Sequence, residues 1–239
     1  LAKSDATALI ANLQPAIFPL GDRGLVVQFD DCIDDGVFER VQTLSRALAG
    51  TSIAGVIEHV PAYTTVTVYY DPQQASFHAV GGAVRQLLTR EGEFKVSAAR
   101  TVAIPVCYGG AFGVDVEHVA EHSGLTVDEV IAIHSGATYR VHMLGFAPGF
   151  PYLGGMSQRI ATPRRASPRL KVPAGSVGIA GEQTGIYSLE TPGGWQIIGR
   201  TPLALFQPTD NPPTLLAAGD IVRFRPITQE EFIALQEAA

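Results

Sequence analysis

Apolar positions in the first hundred residues recur with two periods, and each period predicts an element. Residues 25–29 (LVVQF) are a largely apolar run after the turn Gly21-Asp22-Arg23-Gly24 and predict a strand. Val37, Val41, Leu44 and Leu48 then fall on one face of a helix from about Asp35 to Ala49, with Gly50 as its stop. Residues 55–60 and 64–70 are rich in β-branched and aromatic side chains and predict two strands joined by Pro61-Ala62-Tyr63. A second helix opens at Ser76, buries Phe77, Val80, Val84, Leu87 and Leu88, and ends near Gly92. Residues 101–106 read as a strand that closes the set. The resulting order, βαββαβ, is that of a ferredoxin-like split βαβ unit.

The pattern changes after Cys107-Tyr108-Gly109-Gly110. Two short helices are predicted first, one from Asp115 to about Ser123. The other starts at Thr126, where Glu129 completes a capping box, and ends before Gly136. Beyond Ala137 short strands and turns follow one another at the spacing of a barrel or sandwich, with the last strand at residues 220–224. A terminal helix, Gln229–Glu237, is capped by Thr228 with Glu231 three residues on. The fold class expected is α+β, with a domain boundary near Pro105 to Gly113 that divides 1–106 from 107–239.

Composition narrows the function. With 46% hydrophobic and 17% charged residues, the chain reads as a soluble globular protein with an ample core. No apolar run approaches the roughly 20 residues of a membrane helix, and no export-signal pattern opens the sequence. The two cysteines, Cys32 and Cys107, are isolated, which fits a reducing, cytoplasmic setting and no structural zinc. A net charge of −6 disfavours nucleic acid as a partner. Against that acidic background, residues 139–202 hold 11 glycines, 7 prolines, 6 arginines and one lysine, with only Glu182 and Glu190 as acids. This strip carries +5 and the rest of the chain −11. A cationic, turn-rich strip on an acidic body points to an anion held by arginines on loops.

Several local motifs are weaker than they look. His118-Val119-Ala120-Glu121-His122 matches H-x-x-E-H, but its helix is short and no third ligand follows, so it reads as a solvated face and no metal is expected. Ala174-Gly175-Ser176-Val177-Gly178 resembles a nucleophile elbow. The following Gly178-Ile179-Ala180-Gly181 is a poor helix start, so Ser176 reads as a turn or barrel residue. Cys107 reads as a small buried hydrophobe rather than a nucleophile with His142 as its base. Neither G-x-x-x-x-G-K-[ST] nor a helix-opening G-x-G-x-x-G is present.

The strip itself supplies the candidates. On Tyr139–Leu144, alternation places Arg140 and His142 on one face. His142 is either a proton-transfer group or a histidine hydrogen-bonded in a barrel wall. Pro163-Arg164-Arg165 and Pro168-Arg169 set guanidinium groups beside φ-locked prolines, suited to clamp a carboxylate or phosphate, with a solvated loop as the alternative. Lys171 shares either role. Gln183 and Thr184 occupy a turn between glycines, Tyr187 follows, and Arg200 precedes Thr201-Pro202. Trp195, the only tryptophan, is either a core anchor, which is favoured, or a ligand contact beside Gly193-Gly194.

GFAPGFPYLGG, PRRASPRLKVPAGSVGIAG, QTGIY and TPGGWQIIGRTP resemble the family that groups allophanate hydrolase subunit 1, the 5-oxoprolinase component PxpB and the kinase inhibitor KipI. Ser188 stands where that family usually has proline. The resemblance spans nearly the whole chain. It implies an N-terminal α/β domain, a C-terminal cyclophilin-like β-barrel, and a second, allophanate hydrolase subunit 2-like protein as partner. It also implies ATP-dependent opening of 5-oxoproline to glutamate, with ATP bound with or by the partner and a decyclising subunit completing the reaction. Two alternatives go with it: half of a carboxyltransferase in a urea carboxylase or allophanate hydrolase system, and a KipI-like inhibitor of a histidine kinase. Activating a lactam oxygen by phosphorylation requires cations at the carboxylate and the phosphoryl group. From residue chemistry Arg164, Arg169 and Arg200 are assigned that task, with His142 as acid or base. Lys171 joins them as a catalytic candidate, and Arg140, Gln183, Thr184, Tyr187 and Trp195 as binding candidates.

Overall fold

The computed structural model describes residues 14–90 and 99–238, and the chain divides into two compact units between residues 98 and 99. In the first unit β1 (Ala16–Leu20), β2 (Gly24–Gln28), β3 (Val56–Pro61) and β4 (Thr65–Tyr70) form an antiparallel sheet in the order β1-β2-β4-β3. Helices α1 (Asp35–Ala49) and α2 (Phe77–Leu88) complete it. Asp34 caps α1 by accepting the Val37 N–H at 2.8 Å, and Gly50 ends it. The expected stripe Val37, Val41, Leu44 and Leu48 is buried with Leu25, Val27, Val66, Val68, Val80 and Val84. Each such side chain contributes roughly 1.5–3 kcal/mol of transfer free energy. Helix α2 stops at Leu88; Gly92, its expected end, lies outside the described residues.

The order βαββαβ is not what forms. Residues 101–106 belong to β5 (Thr101–Tyr108), which pairs with strands of the second unit instead of closing the first sheet. The edge of β2 that such a strand would occupy is taken by β1, joined to β2 by the short turn at Gly21-Asp22-Arg23. The physical reason lies in β5 itself: residues 104–107 are buried without a break, which demands cover on both faces.

The second unit is built on a closed barrel of seven strands in the order β10-β7-β6-β13-β5-β12-β9. These are β6 (Tyr139–Leu144), β7 (Pro151–Gly154), β9 (Ser176–Ala180), β10 (Gln183–Ile186), β12 (Gln196–Arg200) and β13 (Ile221–Pro226), with β5 running parallel to β13. Its interior is filled by Ile104, Val106, Tyr139, Val141, Leu153, Val177, Ile179, Ile186, Ile198, Val222 and Phe224. Strands β8 (Arg169–Val172) and β11 (Thr191–Gly193) form a separate two-stranded ribbon. Helices α3 (Val116–Ser123) and α4 (Val127–Gly136) precede β6, and α5 (Gln229–Glu237) follows β13. The capping box at Thr126 and Glu129 forms in both directions, at 2.8 and 3.2 Å. Thr228 caps α5 through the Glu231 N–H at 3.2 Å. Among the described residues, no helix is long and apolar enough to cross a membrane.

Candidate functional site

The cationic strip supplies barrel strands β6, β7, β9, β10 and β12 together with the β8–β11 ribbon. Outside the main core it builds a second apolar cluster of Phe150, Val172, Ala180, Tyr187, Trp195 and Ile197. Its aromatic rings meet edge to face: Phe150 with Trp195 at 5.4 Å, with Tyr187 at 5.4 Å and with Tyr152 at 5.0 Å. Such pairs prefer this geometry because the ring edge is positive and the face negative. Packing this tight needs a missing side chain nearby. A Cβ on Gly193 would collide with the Tyr187 hydroxyl oxygen and ring, so only glycine fits there.

One side of this cluster stays open. Phe146, Phe150, Tyr152, Arg164, Pro168, Tyr187, Pro192, Gly193, Gly194 and Trp195 line a cavity of about 260 Å³. The Arg164 guanidinium stands over the Trp195 ring, 5.9 Å from its centroid, within the range of a cation–π contact. Phe146 edges the opening, 64% exposed, and carries a φ of 68°. A bulky residue in the left-handed region is strained, and such outliers cluster where a side chain must be aimed at a ligand. Burial pushes the Tyr187 phenol above its ordinary pKa, offset in part by the Trp195 backbone N–H that it accepts and by Arg164 and Arg169 nearby.

A buried carboxylate sets the loop that carries Arg164. Asp115, just before α3, accepts Arg169 Nη2 at 2.7 Å and Arg165 Nη1 at 3.2 Å on one oxygen, and the Ile197 N–H at 2.7 Å on the other. The Arg165 N–H donates to the Gly194 carbonyl at 2.7 Å, and Gln196 Nε2 to the Pro163 carbonyl at 2.9 Å. Both neighbours of Arg164 are therefore tied down, and Arg164 is left facing the cavity. Asp115 carries one negative charge against two arginines, so the cluster keeps a net positive charge behind an aromatic wall, a setting that favours an anion.

The structure gathers some of the candidate residues and separates others. Arg164, Tyr187 and Trp195 share the cavity. Trp195 is buried and also lines the cavity. Arg169 lies beside the cavity with its guanidinium bound to Asp115. Lys171 makes an exposed ion pair with Glu190 at 2.9 Å. Arg200 donates Nε to the Ala174 carbonyl at 2.8 Å, and Gln183 opens β10 half-buried. Arg140 and His142 point outward from β6. A β-bulge between Val141 and Met143 sets the His142 ring against Gly154, where a Cβ would collide with its Nε2. None of Arg140, His142, Lys171, Gln183 and Arg200 lines the cavity.

Thr184 lies inside the barrel. Its Oγ1 donates to the Gly178 carbonyl at 2.9 Å and so must accept from His134 Nε2 at 3.0 Å. That fixes His134 as the neutral Nε2–H tautomer, and Nδ1 accepts the Tyr108 hydroxyl at 2.8 Å. Complete burial lowers the His134 pKa to about 3. No local pattern singles out His134, and Asp115 is legible in the sequence only as the start of a helix: its side chain makes no capping bond, and its arginine partners are 50 and 54 residues away. Ser176 is buried and opens β9 straight after the turn that follows β8, a strand-to-strand turn and not a strand-to-helix one. Burial raises the Cys107 pKa and so favours its thiol form. The His118 and His122 rings lie tilted to one another, 6.4 Å apart on α3, and among the described residues no group of three or more potential ligands could hold a metal.

Residues 15–216 match the family described as carboxyltransferase domain, subdomain C and D. The chain is 50% identical over 228 residues to a 5-oxoprolinase subunit of Bacillus subtilis, covering 91% of this chain and 95% of that protein. It is 43% identical to the corresponding 5-oxoprolinase subunit of Escherichia coli O157:H7, covering 87% and 94%. Among solved structures, PH0987 from Pyrococcus horikoshii matches 91% of this chain and all of that one, at 51% identity and a TM-score of 0.55.

Proposed function

The chain belongs to the carboxyltransferase subdomain C and D family, and from that premise we propose that it serves as one subunit of a 5-oxoprolinase. The observation that carries this reading is identity of 43–50% along nearly the full length of proteins named as 5-oxoprolinase subunits. Those names favour this reading over a carboxyltransferase half acting on a urea-like substrate and over a kinase inhibitor. The reaction proposed is hydrolysis of the cyclic amide: water adds to the lactam carbonyl carbon, the C–N bond breaks, and the ring nitrogen takes a proton to give glutamate.

ATP is proposed as co-substrate: its γ-phosphoryl group passes to the lactam oxygen with release of ADP, and inorganic phosphate leaves from that oxygen as water adds and the ring opens. The cavity suits a small ring acid better than a nucleotide, since its 260 Å³ falls below the roughly 300–1,000 Å³ of typical ligand pockets. ATP is therefore assigned to a site formed with or by the second subunit, and a decyclising subunit completes the assembly. His142, held on its bulge, stays the proposed proton-transfer group, acting across the surface that the partner covers. Arg140 on β6, Arg200 on β12 and Lys171 on β8 are assigned to phosphoryl or partner contacts. A cytoplasmic location goes with this assembly.

The reading is tested by co-purifying the chain with its two partner subunits and measuring glutamate from 5-oxoproline. ATP-dependent glutamate formation is expected. A rate equal to that of the ATP-free control contradicts the proposal.

A further inference from the structure

The cavity's chemistry specifies its occupant more closely than membership of an assembly does. Its walls are the faces and edges of Phe146, Phe150, Tyr152 and Trp195, so the body of the ligand is flat or compact and apolar. Among the described residues no acidic side chain lines it, whereas Arg164 does, and Arg165 and Arg169 lie behind it in excess over Asp115. The Arg164 guanidinium stands over the Trp195 ring at 5.9 Å and lines the cavity, within reach of a carboxylate that its planar fork suits. Tyr187 lines the same cavity, and burial favours its protonated form, which can donate to a carbonyl oxygen.

We propose that this cavity binds a small cyclic carboxylate, its ring against Trp195 and Phe150, its carboxylate on Arg164 and its ring carbonyl on the Tyr187 hydroxyl. On the 5-oxoprolinase reading, on which the ligand's identity rests, that molecule is 5-oxoproline. Asp115 is the positioning residue of the site: by holding Arg165 and Arg169 it fixes the loop on which Arg164 sits. Removing its charge therefore disturbs Arg164 without touching the ligand.

Trp195 is the only tryptophan in the chain, so its emission reports on this cavity alone. The experiment titrates the full chain with 5-oxoproline, with 2-pyrrolidinone, which lacks the carboxylate, and with L-proline, which lacks the ring carbonyl. A saturable change with 5-oxoproline is expected, with affinity roughly tenfold or more weaker for 2-pyrrolidinone, and likewise for 5-oxoproline with Arg164→Met. Asp115→Asn weakens binding several-fold and moves the ligand-free emission, and Asp115→Glu restores part of both. An Arg164→Met chain that binds as the wild type overturns the proposal, as does equal affinity for 2-pyrrolidinone. If Trp195 does not respond while the assembled subunits turn over 5-oxoproline, the cavity is not the site although the functional reading stands. If Trp195 responds and the assembly is inactive, the site stands and the functional reading fails.

Discussion

His134 illustrates how one buried side chain ties the barrel's stability to pH. It is neutral in the fold because its ring is wholly buried and both nitrogens are engaged by neutral groups, Tyr108 and Thr184. Its folded pKa, about 3, lies below the ordinary 6.5, so the unfolded chain binds this proton first. The stabilisation is complete above pH 6.5 and is lost as the pH falls from 6.5 towards 3, at about 1.4 kcal/mol per pH unit. NMR titration of the His134 ring in the folded protein is expected to show no protonation above about pH 4. A midpoint near 6.5 contradicts the assigned network. At this scale types of residue are more legible in the sequence than their partners. Arg164, Tyr187 and Trp195 stand out because glycine, proline and arginine crowd around them. Asp115, Phe146 and His134 do not, because nothing local marks a contact made across 50 residues or a backbone angle set by a turn.

Among the elements, those defined by their own residues are the most legible. Helix α1 runs from Asp35 to Ala49, as its apolar stripe and Gly50 require, and the Thr126 and Glu129 box opens α4. Strand β5 is also legible as a strand, but which sheet it joins depends on β13, more than a hundred residues on. Strand β1 has no such signal because its side chains are almost all exposed and Pro19 interrupts it. The turn from β6 to β7 belongs to this scale too, since it holds Phe146 at a positive φ and 64% exposed, with its ring edge-on to Phe150 at 5.5 Å. Phe146→Gly should change stability by no more than about 1 kcal/mol, because relief of strain at that φ offsets the lost edge contacts with Phe150 and Tyr187. The same change should weaken ligand binding several-fold by removing the aromatic edge at the opening. Urea denaturation beside Trp195 titration checks both, and a loss of more than about 2 kcal/mol contradicts the strain assignment.

At the scale of the whole chain, the contrast between a +5 strip and a −11 remainder resolves into an arginine-bearing loop and ribbon beside a closed barrel. Much of the charge is structural: Arg165 and Arg169 hold Asp115, and Lys171 meets Glu190 at the surface. Arg164 is the member of the strip that the fold turns toward a cavity. On the proposed function the chain has one task within a larger assembly, presenting a small acid for ring opening. Glutamate production by the reconstituted subunits, with ATP, tests this when only the present chain is omitted, restored or replaced by its Arg164→Met form. Restoring the chain should restore turnover, and Arg164→Met should raise the KM for 5-oxoproline roughly tenfold or more. Full turnover without the chain, or an unchanged KM with Arg164→Met, would contradict it.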